Sequence, residues 1–158
     1  MSTSLPSIAE IVGPILARVP REHRALFVAM AERLAARRYR GWAADPANAA
    51  HRARLEACAA REEDIATRIE ALYPDAASIA RALLAAHPDL EEIDRTLFAG
   101  RPFAEQFAIQ AQGERVGILT WRAFARDEPD ARRRDVLLAC APLEEESALV
   151  LESILAAG

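Results

Sequence analysis

Residues 32–72 recur in residues 114–154. Laid over each other at a constant offset of 82, without a gap, the two stretches are identical at fifteen of 41 positions. The shared residues are Glu32, Arg33, Arg40, Ala43, Asp45, Ala49, Arg52, Leu55, Ala57, Cys58, Ala59, Glu62, Glu63, Ala66 and Glu70, each matched 82 positions later. Composition alone would give identity at roughly a tenth of positions, so the excess marks a duplication. Several mismatches are mild: Tyr39 with Trp121, Trp42 with Phe124, Asp64 with Glu146 and Ile69 with Leu151. The fold must therefore accommodate one structural unit twice.

That unit reads as helical. Alanine fills 36 of 158 positions, beside abundant Leu, Glu and Arg, the strongest helix formers. Valine, isoleucine and threonine are sparse, and no alternating strand pattern of useful length occurs. The expectation is an all-α fold, a single domain over 1–158. Residues 1–20 hold a short amphipathic helix over Ser7–Val19 that caps the bundle or a dimer partner. Residues 21–73 form a first hairpin, with helices from about Arg21 to Ala44 and from the Asp45-Pro46 turn to about Tyr73. Residues 74–102 form a crossover with short helices near Ala76–Ala86 and Leu90–Phe98. Residues 103–157 form a second hairpin, with helices at Phe103–Arg126 and Ala131–Ala157, the last disturbed at Pro142.

Composition removes several function classes. All 20 basic residues are arginine, so lysine Schiff-base and P-loop chemistry are absent. Net charge is −4, which argues against a nucleic-acid grip. Apolar runs are too short to cross a bilayer, and no basic-then-apolar signal opens the chain, so a cytoplasmic, membrane-free protein is expected. Two cysteines make neither a disulfide scaffold nor a Cys-rich metal module. No dinucleotide-binding, nucleophile-elbow, His-Glu-x-x-His or Cys-x-x-Cys motif occurs.

Two equivalent helical hairpins joined by a long crossover make a pseudo-twofold four-helix bundle. In this architecture, over residues 21–157, the chain resembles the ferritin-like superfamily, the rubrerythrin and di-iron carboxylate group. The resemblance implies one glutamate from the first helix of each hairpin and a Glu-x-x-His from the second. Glu32 and Glu114 match the single glutamates. Glu62 and Glu144 match the first residue of Glu-x-x-His, but the histidine positions hold Ile65 and Ser147. His23, His51 and His87 fall elsewhere. The implied dimetal site, for iron or manganese, is thus degenerate.

The glutamates need explaining on physical grounds too. Glu62 and Glu144 interrupt apolar stripes at helical spacing, where isolated charges rarely sit. Two unit charges 4 Å apart repel by about 4 kcal/mol at an effective dielectric of 20. If all four carboxylates point inward, they must bind a cation, take up protons, or pair with arginine, for which the repeated Arg33, Arg40, Arg115 and Arg122 are candidates; with the helical phase shifted by one residue they lie at helix boundaries or on the surface instead. Tyr39 and Trp121, two turns beyond Glu32 and Glu114, read as core aromatics or as redox carriers of a metal site. Cys58 and Cys140 read as buried thiols or, brought together by symmetry, as a redox pair. Arg132–Arg134 reads as a solvated run or an anion site.

Two functions of different class follow. One is a non-catalytic binding or interaction module without a cofactor, expected to be a homodimer that takes a small apolar ligand or a protein partner. The other is a carboxylate-only iron or manganese protein, or a metal-dependent oxidoreductase, built on Glu32, Glu62, Glu114 and Glu144.

Overall fold

Proline decides where the helices stop. The computed structural model describes residues 4–158, and in it X-Pro steps fall between helices at Val19-Pro20, Asp45-Pro46, Tyr73-Pro74, His87-Pro88, Arg101-Pro102 and Glu128-Pro129. A proline ring disfavours helical backbone at the preceding residue. Val19, Asp45 and Glu128 are accordingly extended, with ψ of 134°, 128° and 117°. The described residues form seven α-helices and no strand: α1 Ile8–Arg18, α2 Arg24–Ala44, α3 Arg52–Glu70, α4 Ala76–Ala86, α5 Asp89–Phe98, α6 Phe103–Asp127 and α7 Ala131–Ala157. None of these is long and apolar enough to cross a membrane.

Three boundaries differ from the expected ones. Tight 3-10 turns over Arg21–His23 and Pro46–His51 precede α2 and α3. At the second, Asp45 accepts from the Ala47 amide at 2.9 Å and Asn48 donates to the Trp42 carbonyl at 3.0 Å, local bonds that hold the first turn out of α geometry. α3 ends at Glu70, short of Tyr73, where the Ala71 amide is shared between the Thr67 and Ile69 carbonyls. α7 runs unbroken through Pro142, whose ring lies on the exposed face.

α2 packs on α3, α6 on α7, and α3 on α7. The crossover helices lie outside these four, α4 against α2 and α5 against α6. α1 packs on α6 of its own chain: the Ile8 amide donates to Gln112 Oε1 at 2.6 Å, and Arg18 pairs with Asp89 of α5 at 2.9 Å.

The repeated arginines do not neutralise the buried glutamates. Arg33 pairs with Glu70 at 2.8 Å and Arg115 with Glu152 at 2.7 Å, at equivalent places in the repeat, while Arg40 pairs with Glu63. Arg133 and Arg134 staple the turn into α7. Arg133 reaches Glu128 and the Leu72 carbonyl, and Arg134 reaches the Glu128 and Pro129 carbonyls.

Candidate functional site

Each of the four long helices contributes apolar residues to two core clusters, with a glutamate between. On α2 the order is Ala29, Glu32, Tyr39; on α3 it is Cys58, Glu62, Ile65. On α6 it is Ala111, Glu114, Ile118; on α7 it is Cys140, Glu144, Leu151. One cluster is built around Tyr39, Trp42, Leu55, Phe107 and Leu151. The other is built around Ile65, Ile69, Ile118, Trp121 and Leu137. The four carboxyls thus form a polar layer across the protein interior. All are buried, at 8% exposure for Glu32, 0% for Glu62, and 1% each for Glu114 and Glu144.

Three of the four converge. Glu32, Glu62 and Glu144 each place a carboxylate oxygen within 4.8 Å of the others. Glu114 is the fourth carboxyl of the layer, its Oε1 accepting from the Tyr39 hydroxyl at 2.5 Å and the Gln110 amide at 2.7 Å. Trp121 Nε1 donates to Glu144 Oε1 at 2.6 Å. Ser147 Oγ donates to Glu62 Oε1 at 3.0 Å and itself receives Arg61 Nε at 3.2 Å. Glu62 Oε2 is buried without any partner. None of the three histidines joins the cluster among the described residues.

The neighbours of this layer are neutral donors, not cations. Two guanidiniums stand one bond further out: Arg61, which donates to Ser147 Oγ at 3.2 Å, and Arg38, which donates to Gln110 Oε1 at 2.8 Å and pairs with Asp94. With so little compensation, burial dominates the titration. It pushes Glu32 up to about 7, and Glu62 and Glu144 well above the ordinary carboxyl range, with the facing carboxylates adding to the rise. Burial and the neighbouring Glu114 also raise Tyr39, which keeps its phenol a donor. Among the described residues no side chain donates a hydrogen bond to Glu32, whose carboxyl faces those of Glu62 and Glu144.

Space at the cluster is set by a glycine. A Cβ on Gly117 of α6 would lie 2.6 Å from Glu144 Oε1 and 2.7 Å from its Cδ. The absent side chain leaves room for the Glu144 carboxyl.

All four glutamates are buried, which rules out the helix-boundary and surface positions that the sequence also allows for them. The sequence does not reveal Gln110, Ser147 or Gly117 as their supports. Gln110 and Gly117 do stand four and three residues from Glu114, on one helical face. Tyr39 and Trp121 are core aromatics and donors at once. Cys58 and Cys140 are buried in different core clusters, on opposite sides of the carboxylate layer, so the repeat does not bring them together. No protein family, curated protein or solved structure matches this chain.

Proposed function

We propose that this chain is a ferritin-like, duplicated four-helix protein whose carboxylate layer binds a divalent cation, manganese or ferrous iron, through Glu32, Glu62 and Glu144. The observation that carries the reading is Glu62 Oε2, a wholly buried oxygen without a partner in a cluster whose three carboxylates lie within 4.8 Å of one another. Buried acceptors are normally satisfied, and a hard cation satisfies several oxygens at once. The equivalent ion pairs Arg33–Glu70 and Arg115–Glu152 support the duplicated architecture. So do the matched burial of Glu32 with Glu114, Glu62 with Glu144 and Cys58 with Cys140.

The chain's own residues aim the ligands. Arg61 holds Ser147, Ser147 holds one oxygen of Glu62, and the other oxygen is left to the cation. Trp121 donates to Glu144, and Tyr39 and Gln110 donate to Glu114. All donors are oxygen, which suits manganese and ferrous iron and gives little selectivity between them. Either ion would supply Lewis-acid and one-electron chemistry when bound. At the positions of the missing histidines, Ile65 is apolar and Ser147 is engaged with Glu62, so the reading is a cation-binding protein and not a di-iron oxidase.

The test is elemental analysis after anaerobic Mn(II) or Fe(II) loading and desalting, with Glu62→Gln/Glu144→Gln as the comparison. Near-stoichiometric metal in the native chain and none in the variant is the expected result. No retained metal would favour a second reading, in which Glu62 and Glu144 are protonated, donate to Glu32, and the layer is a metal-free core of a binding module. The neutral donors around the layer are the observation behind that alternative.

A further inference from the structure

α1 and α5 lie over the seam between α2 and α6, and beneath them is a cavity of about 150 Å³. Val12, Phe27, Leu34, Ile93, Ile109 and Val116 supply apolar wall. Glu32, Glu114 and Glu144 face its inner end, and Arg38 with Asp94 faces another part of the lining. Gly113 of α6 also lines it, and a Cβ built there would meet nothing within 4 Å.

We propose that this cavity binds a small apolar molecule of about benzene's size carrying one hydrogen-bond donor, with the donor set against Glu32. Size comes from the volume: a space of about 150 Å³ holds a molecule of about benzene's size. Polarity comes from the inner end. Glu114 and Glu144 already accept from Tyr39, Gln110 and Trp121, whereas among the described residues no side-chain donor meets Glu32, which lines the cavity and keeps acceptor capacity. The lining also disfavours an anionic ligand. Four carboxyls line it, those of Glu32, Asp94, Glu114 and Glu144, and its one guanidinium, Arg38, is committed to Asp94, to Gln110 and to the face of Phe98, 3.8 Å from the ring centroid. A neutral aromatic alcohol fits this chemistry. The inference needs no cation in the carboxylate layer.

Phenol is the probe, benzene the comparison, and binding is followed by NMR shift titration on metal-free protein. Phenol should saturate and bind about tenfold more tightly than benzene, the effect of one added hydrogen bond. Glu32→Met, without an acceptor, should remove phenol's advantage and leave benzene binding in place. Gly113→Leu should fill the cavity and abolish binding of both, with helical circular dichroism and Mn(II) retention equal to those of the native chain. Ala31→Leu, on the α2 wall, makes the same test should Gly113→Leu fail to fold. No saturable binding of either probe, or undiminished binding in a folded cavity-filling variant, overturns the proposal. Phenol binding in a protein that retains no metal would leave this inference standing and remove the cation reading alone.

Discussion

Gly117 and Glu144 claim one volume: a methyl group on the glycine would sit 2.6 Å from the Oε1 that Trp121 holds. Gly117→Ala must push aside a buried carboxyl with a fixed partner. It should destabilise the protein by about 1–3 kcal/mol, the usual range for overpacking, and weaken Mn(II) binding. Gly113, one turn earlier on α6, has open space where its Cβ would be. Gly113→Ala should instead stabilise by about 0.5–1 kcal/mol, the helix-propensity gain. Urea denaturation of the two variants checks the opposite signs. A Gly117→Ala protein as stable as Gly113→Ala would mean the Glu144 carboxyl is free to move.

Metal-free protein should lose stability as pH rises. Glu32 is raised from 4.5 to about 7, so between those values the folded state holds a proton that the unfolded chain releases. Its contribution is fully present below pH 4.5 and is lost as pH passes 7. The rise corresponds to about 3 kcal/mol at 1.36 kcal/mol per unit. Glu62 and Glu144 shift in the same direction and add to the loss. Thermal melts of metal-free protein from pH 5 to pH 8 should show a falling midpoint. A midpoint that climbs over this range would contradict the buried carboxyl layer.

How far this layer is legible in the sequence depends on which residue is considered. Glu62 and Glu144 announce themselves because a charge inside a helical apolar stripe is conspicuous one helix at a time. Their partners are set by tertiary contact. Ser147 reads along the chain as a missing histidine, yet it serves Glu62 across 85 residues, from α7 to α3. Tyr39 and Trp121 occupy equivalent repeat positions and would be expected to do equivalent work. The phenol reaches across to Glu114 of the second repeat, whereas the indole stays within its own hairpin and meets Glu144. Two ring systems with donors at different distances from the backbone break the symmetry that the repeat suggests. Arg38 has Thr120 as its counterpart, so no repeat points to it. The late starts of α2 and α3 depend on local bonds such as that of Asp45, which weigh little beside propensity when a long helix is read from composition.

Neither thiol should react in the native protein. Burial pushes Cys140 up to about 12 and raises Cys58 as well, so little nucleophilic thiolate forms at neutral pH. With a carboxylate layer between their two core clusters, they should form no disulfide with each other. Ellman's reagent should titrate no thiol in the folded chain and two after denaturation in guanidinium. Rapid reaction of one thiol before unfolding would show a local opening of the core.

Cation binding should expel protons. Burial raises Glu32 to about 7 and Glu62 and Glu144 well above the ordinary carboxyl range, so the metal-free cluster keeps protons at pH values where free carboxyls have lost them. A divalent ion needs the carboxylates deprotonated, so binding competes with the protons they share. Protons should leave as the ion enters, which makes Mn(II) affinity rise with pH near neutrality. Calorimetric titration in two buffers of different ionisation enthalpy measures the released protons directly. Glu32→Gln should lower the number released and weaken Mn(II) binding together, because one group supplies both the proton and the ligand oxygen. Binding without proton release would place the ion on the exposed acidic surface, away from Glu32, Glu62 and Glu144.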